Sequence, residues 1–189
     1  KILVHISVET VAAYQVAGRL DMLVFLPIFS IAASLTTLIG MFYGAKEFEA
    51  LRFTIRYGII SALIITIFSS ALVYIFADQV VRFFTEDESI VLIAVNFLQI
   101  FAFAYPFIAV GITTGRVLQG LGKGLPVLVI TIVRVLGVSA PLALFFVFIM
   151  EKSVEWVWYS MMLSTVVAFA IGLTWLVSTI KKLPVKKSD

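Results

Sequence analysis

Five long runs of apolar residues, separated by short charged or glycine-rich breaks, make up most of this chain. Each run is about 20 to 26 residues long, and a helix of that length, at ~1.5 Å per residue, covers the ~30 Å hydrocarbon core of a bilayer. Apolar or small residues occupy successive positions rather than every second one, so the runs are not strands of an outer-membrane barrel. The pattern predicts five transmembrane helices, at Leu20–Tyr43, Tyr57–Phe76, Ile90–Gly115, Pro126–Met150 and Trp158–Ile180.

The composition supports this prediction. Hydrophobic residues make up 62% of the 189 residues, and the mean hydropathy is +1.13. Soluble domains have ~45–50% apolar residues, so we expect an all-α, polytopic transmembrane helix bundle. The chain has no cysteine, which excludes thiolate chemistry. Its one histidine, His5, has no second ligand at metal spacing, and the runs contain no Ser/His or Asp/Asp constellation, so we expect no metal, no cofactor and no enzymatic activity.

The charged residues of the breaks form two groups when successive breaks are assigned to alternate sides of a membrane. The basic group is Lys46, Arg52, Arg56, Arg116, Lys123, Lys181, Lys182, Lys186 and Lys187. The opposite group, poor in lysine and arginine, is Glu9, Asp78, Arg82, Glu86, Asp87, Glu88, Glu151, Lys152 and Glu155. By the positive-inside rule we expect a multi-pass plasma-membrane protein with a cytoplasmic C-terminus. The net charge of +3 then indicates contact with membrane lipids and no nucleic-acid partner.

The beginning of the chain suggests a domain organisation. An odd number of spans ending in the cytoplasm places the residues before Leu20 outside, yet Ile2–Ile6 is too short to span and no initiator methionine precedes it. We expect residues 1–10 to be the end of a truncated transmembrane helix and an outer loop. Residues 11–180 then hold the five spans, and 181–189 a basic cytoplasmic tail. The chain is expected to be the C-terminal part of a longer protein.

Three ionisable residues within or beside the runs are candidates for function: Arg19, Asp21 and Arg134. Each costs ~2.5–3.5 kcal/mol at the centre of a membrane helix. Asp21 is a candidate proton or cation site if its helix enters the membrane near Ala12. It is a hydrated end residue or an ion-pair partner if the helix enters at Leu20. Arg134 is too deep to reach the interface, so it either pairs with an internal acceptor, such as Asp21, or lines a cavity.

Prolines interrupt three of the five runs, at Pro27, Pro106 and Pro141. Each removes one helical hydrogen bond and frees the carbonyl four residues earlier, so each predicts a helix kink. Freed carbonyls at membrane depth need protein or water as partners. We therefore expect the proline-bearing helices to face a cavity.

The third run carries a further polar face. Asn96, Gln99, Phe103 and Pro106 recur at spacings of three and four, which places two amides, a ring and the kink on one side of a helix. This face is a candidate binding wall. Gly111 and Gly115 nearby form a G-x-x-x-G pair, which predicts close packing against another helix.

Three stretches give the chain a resemblance to a known family. They are Ala12-Ala-Tyr-Gln-Val-Ala-Gly-Arg19 running into Phe25-Leu-Pro27; Gly40-Met-Phe-Tyr-Gly-Ala45 followed by Lys46 and Glu47; and Leu118-Gln-Gly-Leu-Gly-Lys123 with Pro126. In this order and spacing they resemble the second half of the multidrug and toxic compound extrusion (MATE) transporters. The resemblance implies one lobe of a two-lobe transporter, holding the last five of twelve helices and the end of the seventh.

The resemblance also implies a function. It predicts a cation-coupled efflux antiporter that exchanges a small amphiphilic or cationic substrate for H+ or Na+ by alternating access. The missing N-terminal lobe of the same protein would be the partner of this lobe. Asp21, Asn96, Gln99 and Tyr105 are the candidates for its cavity wall. The run equivalent to the family's tenth helix, Ile90–Gly115, contains no acid, so whether the first lobe carries the coupling carboxylate stays open.

Two other functions stay open at this point. A lipid-linked oligosaccharide flippase of the same superfamily shares the helix count and would need a basic central cavity, for which Arg19 and Arg134 are candidates. A non-transporting membrane subunit would have all its intramembrane polar groups packed and dry.

Overall fold

The computed structural model describes residues 7–150 and 153–184. Its helices, in chain order, are α1 (Val8–Gly44), α2 (Phe48–Arg82), α3 (Glu88–Ala102), α4 (Tyr105–Gly120), α5 (Leu125–Ile149) and α6 (Glu155–Lys181). By length and composition α1, α2, α5 and α6 are able to cross a membrane, and the bent pair α3 and α4 makes a fifth span when counted as one. The predicted all-α membrane helix bundle is confirmed.

Helix α1 begins earlier than the hydropathy pattern predicts. The Ser7 hydroxyl caps it by accepting the backbone N–H of Thr10 at 3.1 Å, and the helix then continues for 37 residues to Gly44. Residues 8–10 are therefore helical rather than part of an outer loop, because a serine cap precedes residues that continue the helix. The segment Ile2–Ile6 with His5, the pair Glu151 and Lys152, and the tail residues 185–189 lie outside the described residues.

The three prolines have three different structural consequences. Pro106 is the second residue of α4, where its missing N–H is not needed, and the chain bends by 58° between α3 and α4. The freed carbonyl of Ala102 accepts a hydrogen bond from the Ser70 hydroxyl of α2. Pro141 lies in a short α-helical turn between two segments of wider π-type winding, Val133–Ser139 and Phe145–Ile149. Pro27 lies within α1, which continues through it without a break, so the predicted kink there is not a helix break.

Helices α1 and α4 make the most extensive contacts in the bundle. Helix α1 packs against α2, α3 and α4, while α6 packs against α4 and α5. One hydrophobic cluster lies toward the start of α1 and is rich in aromatic rings, among them the buried Phe97, Tyr105 and Trp158. A second, aliphatic cluster around Leu35 and Ile39 lies toward its end. The two clusters together hold the helices in one bundle.

The two ends of the bundle differ in charge. At one end Arg52 of α2 donates to the Leu183 carbonyl at 3.0 Å, which joins the start of α2 to the end of α6. At the other end Arg82 pairs with Asp78 at 2.9 Å and with Glu88 at 2.6 Å. Arg52 and Arg82 therefore lie at opposite ends of α2, as the alternation of the breaks predicts.

Asp87 caps α3 at the acidic end. Its carboxylate accepts from the Ser89 hydroxyl at 2.6 Å and from the Ser89 backbone N–H at 2.9 Å. These two hydrogen bonds, the hydroxyl first, hold the pKa of Asp87 below its usual value. The cap is therefore formed at neutral pH, and its contribution to stability is lost as the pH falls through the lowered pKa.

A close approach between α1 and the backbone of α4 lies at Gly120. A Cβ atom at this position would lie 2.7 Å from the Thr36 carbonyl oxygen and 3.0 Å from the Ile39 Cβ. The predicted pair Gly111 and Gly115 has more room, because a Cβ on Gly111 meets nothing within 4 Å and one on Gly115 meets Val127 at 3.7 Å. Close packing of α4 thus depends on Gly120.

Replacing Gly120 with alanine is expected to separate α1 from α4. The new methyl group would press on backbone, which cannot rotate away, so we expect a loss of about 1–3 kcal/mol of stability. The readout is a lower apparent melting temperature of the full-length protein in detergent. Gly111→Ala in the same helix is the matched control and should not lower the melting temperature. Equal melting temperatures for both variants would contradict the contact at Gly120.

Candidate functional site

Asp21 and Tyr105 form the polar centre of the bundle. The Tyr105 hydroxyl donates a hydrogen bond to the Asp21 carboxylate. Tyr105 is the first residue of α4, directly after the break in the bent span, and its side chain is fully buried. Local sequence explains this placement, because Pro106 starts a new helix and so turns the preceding tyrosine toward α1.

The early start of α1 sets the position of Asp21 along the helix. At ~1.5 Å per residue, Asp21 lies about 20 Å from the beginning of α1 at Val8 and about 35 Å from its end at Gly44. Its hydroxyl donor belongs to the break near the middle of the α3 and α4 span. Asp21 is therefore not a residue of the first helical turn, while its depth in the membrane stays a prediction.

Aromatic rings surround the Asp21 and Tyr105 pair. Phe25, one turn after Asp21, meets Tyr105 edge to face at 5.3 Å between ring centroids. Tyr14, two turns before Asp21, stacks on Trp158 at 5.8 Å and contacts Phe97 at 5.5 Å. These rings give the carboxylate apolar walls.

The aromatic neighbours were not among the sequence-based candidates. Their signal was present, because spacings of seven and four residues place Tyr14 and Phe25 on the same face of α1 as Asp21. Ring contacts across helices, by contrast, depend on how α1, α3 and α6 pack, which no spacing along the chain reveals.

Asp21 has no ionic partner in the part of the chain that the structure describes. The ion pairs found there within 4.0 Å join Arg82 to Asp78 and to Glu88. Of the two alternatives for Arg134, the described residues show no pairing with Asp21, and Arg134 lines a cavity instead. Arg19, two residues before Asp21, points to an exposed face of α1.

Arg134 lines a cavity of about 340 Å³ between α4, α5 and α6. It lies in the π-type segment Val133–Ser139 of α5 and is exposed. Arg116 and Gln119 of α4 line the same cavity, and the Arg116 guanidinium donates to the Gln119 side-chain oxygen at 3.2 Å. Arg19 does not line this cavity, so Arg19 and Arg134 do not share one basic cavity.

The candidate binding wall of the third run is divided. Asn96, Gln99 and Phe103 do share a face, and they line a groove with Tyr74 of α2 and Tyr159 of α6. The Asn96 side-chain oxygen is buried there without a hydrogen-bond partner among the described residues. Asp21 and Tyr105 do not line this groove, so the four predicted wall residues form two separate pairs.

The arrangement around Asp21 limits what the site is able to do. A carboxylate inside a long apolar helix, with one hydroxyl donor, aromatic neighbours and no cationic partner among described residues, is suited to accepting a proton or a small cation. The hydroxyl fixes the carboxylate in position. Groups of three or more metal-ligating side chains are absent from residues 7–150 and 153–184.

Comparison with known proteins gives consistent matches. A family model described as MatE matches residues 1–145. The chain is 25% identical over 177 residues to a protein named probable multidrug resistance protein NorM from Thermotoga maritima, covering 94% of this chain and 38% of that protein.

The fold matches solved transporter structures of the MOP superfamily. A transporter from Pyrococcus furiosus, described as having a binding pocket of reverse polarity that suggests a different function, has a TM-score of 0.84 and 30% identity, over 94% of this chain and 40% of that one. A multidrug resistance MATE family transporter in its inward-facing conformation has a TM-score of 0.83 and 29% identity, over 94% of this chain and 41% of that one. A multidrug resistance MATE family transporter in its outward-facing conformation has a TM-score of 0.83 and 30% identity, over 95% of this chain and 39% of that one. The chain spans about two-fifths of the length of these proteins.

Proposed function

Because the chain belongs to the MATE family of transporters, we propose that it is the C-terminal lobe of a longer efflux antiporter. In this proposal the complete protein exports a small amphiphilic or cationic compound in exchange for H+ or Na+. The similarity to inward-facing and outward-facing transporters at comparable TM-scores supports a lobe that moves as a unit. The missing lobe would supply the opposite wall of the substrate path.

One observation supports a role for Asp21 in coupling ion binding to substrate transport. Its carboxylate lies at membrane depth, is fixed by the Tyr105 hydroxyl and has no cationic partner among the described residues. A permanently unpaired charge there would be unfavourable, so the site favours a bound proton or cation. If the cation and the substrate stabilise opposite conformations, binding of one promotes release of the other.

The same proposal assigns an orientation. The end that contains Arg52, Arg116 and Lys123 would face the cytoplasm, because lysine and arginine concentrate on that side of membrane proteins. The end with the Arg82 ion pairs would face outward. The plasma membrane is the proposed location, with a cytoplasmic C-terminus.

An ion-gradient assay tests the proposed function. The full-length protein, reconstituted in vesicles, should accumulate the organic cation tetraphenylphosphonium against its gradient when an opposing proton or sodium gradient is imposed. The gradient that drives accumulation identifies the coupling ion. Absence of accumulation with either gradient, from protein that is folded by its melting transition, would contradict antiport.

The lipid-linked flippase remains a second candidate because of Arg134. An arginine in a membrane cavity favours an anionic substrate, and a similar transporter from Pyrococcus furiosus is described as having reversed pocket polarity. Arg19 does not line this cavity, so Arg116 and Arg134 supply the positive charge of its described lining. A flippase was expected to have Arg19 there as well, so it is the second candidate. A non-transporting subunit is less well supported, because Arg134 is exposed in a cavity rather than packed and dry.

A further inference from the structure

The cavity between α4, α5 and α6 has a polarity opposite to that of the Asp21 site. Two arginines, Arg116 and Arg134, line it, and no described lining residue is acidic. Its volume of about 340 Å³ falls within the range of small-molecule sites. A cation would be repelled from such a cavity, whereas an anion would be attracted.

Arg134 is the group in this cavity whose hydrogen-bonding capacity is unused. Its guanidinium has five N–H donors, and it makes no ion pair or hydrogen bond among the described residues. The two threonine hydroxyls that line the cavity already donate hydrogen bonds, Thr131 to the Val127 carbonyl at 2.8 Å and Thr165 to the Met161 carbonyl at 3.0 Å. An unpaired guanidinium at membrane depth is unfavourable until an anion binds it.

The rest of the cavity is suited to an apolar body. Phe107 and Phe169 meet edge to face, with 5.3 Å between their ring centroids, and Phe29 of α1 lies at the same cavity. Arg134 lies about 13 Å along α5 from its start at ~1.5 Å per residue. Arg116 is held near the end of α4 by Gln119. The cavity therefore has a charged position at depth beside aromatic walls.

We propose that this cavity binds an amphiphile with a single anionic headgroup, a carboxylate, sulfonate or phosphate, paired with Arg134. Its apolar body lies against the phenylalanine rings. The planar guanidinium suits such oxyanions because it presents two parallel N–H donors to them. This site is separate from Asp21, and the proposal does not depend on cation-coupled efflux.

Two probes that share a pyrene ring on a short alkyl chain and carry opposite charges test the proposal. Full-length protein in nanodiscs of neutral phosphatidylcholine is titrated with pyrenebutyrate and with a pyrenebutyl-trimethylammonium salt, and binding is followed by fluorescence. Pyrenebutyrate should bind more tightly, and Arg134→Gln should weaken it at least about tenfold, since hydrogen bonds to charged groups have that strength. Arg56→Gln, which changes an exposed arginine of α2, is the matched control and should leave the affinity within about twofold.

Further variants and lipids separate the remaining outcomes. Arg134→Lys keeps the charge, so it should retain part of the affinity and exclude simple misfolding as the cause of the loss. Phosphatidylglycerol in the nanodisc should displace the probe if the natural ligand is a membrane lipid, and should not if it is a water-borne amphiphile. Unchanged pyrenebutyrate binding in Arg134→Gln would overturn the proposal, as would equal affinity for the cationic probe.

Discussion

Replacing Asp21 with asparagine in the full-length protein is expected to abolish ion-driven accumulation of substrate. Asparagine is similar in size and its carbonyl is still able to accept from Tyr105, so the geometry should survive. The change removes the group that takes up a proton or cation. Since coupling between sites is typically about 5- to 150-fold, the accumulation ratio of tetraphenylphosphonium should fall from at least about fivefold to about one.

The matched control is Asp78→Asn at the acidic end of α2. This substitution makes the same chemical change on an exposed carboxylate that pairs with Arg82. Accumulation should stay close to that of the unchanged protein. If Asp21→Asn also retained full accumulation, the coupling carboxylate would lie in the first lobe, and Asp21 would have a structural role.

Cysteine labelling is expected to give an all-or-none result for the two ends of the bundle. The chain has no cysteine, so a single introduced thiol is the only reactive site within it. Lys123→Cys and Glu86→Cys both lie in exposed breaks, one at each end. A membrane-impermeant maleimide added to intact cells should label Glu86→Cys fully and Lys123→Cys not at all, because the positive-inside rule places the lysine end in the cytoplasm.

Permeabilised cells supply the control for this experiment. Both thiols should react once the membrane is opened, which shows that each is accessible in the folded protein. Cysteines elsewhere in the full-length protein are first replaced by serine. Labelling of Lys123→Cys in intact cells would reverse the proposed orientation.

Hydropathy predicted the spans well because it reports transfer from water to lipid, which is a local property of the sequence. It missed the start of α1, since the Ser7 cap adds turns beyond the apolar run. The prolines differ in outcome, because α1 continues through Pro27 without a break, whereas the chain bends by 58° beside Pro106. A proline frees a carbonyl in every case, but neighbours such as Ser70 decide how the chain responds.

Local spacing was less informative about the site. It correctly put Asn96 and Gln99 on one face, but it could not reveal that this face lies in a groove apart from Asp21. The pairing of Tyr105 with Asp21 joins residues far apart in sequence and depends on the bend between α3 and α4. Likewise Gly120, rather than the G-x-x-x-G pair, makes the close contact with α1, because contact depends on how the helices cross.

Measurements of binding at equilibrium test whether Asp21 links cation binding to substrate release. The dissociation constant of tetraphenylphosphonium is measured for the full-length protein in detergent, with and without sodium and at two pH values. In the unchanged protein the coupling ion should raise the dissociation constant of tetraphenylphosphonium at least about fivefold. In Asp21→Asn the ratio of the dissociation constants with and without the ion should be about one. A ratio that persists in Asp21→Asn would contradict the account.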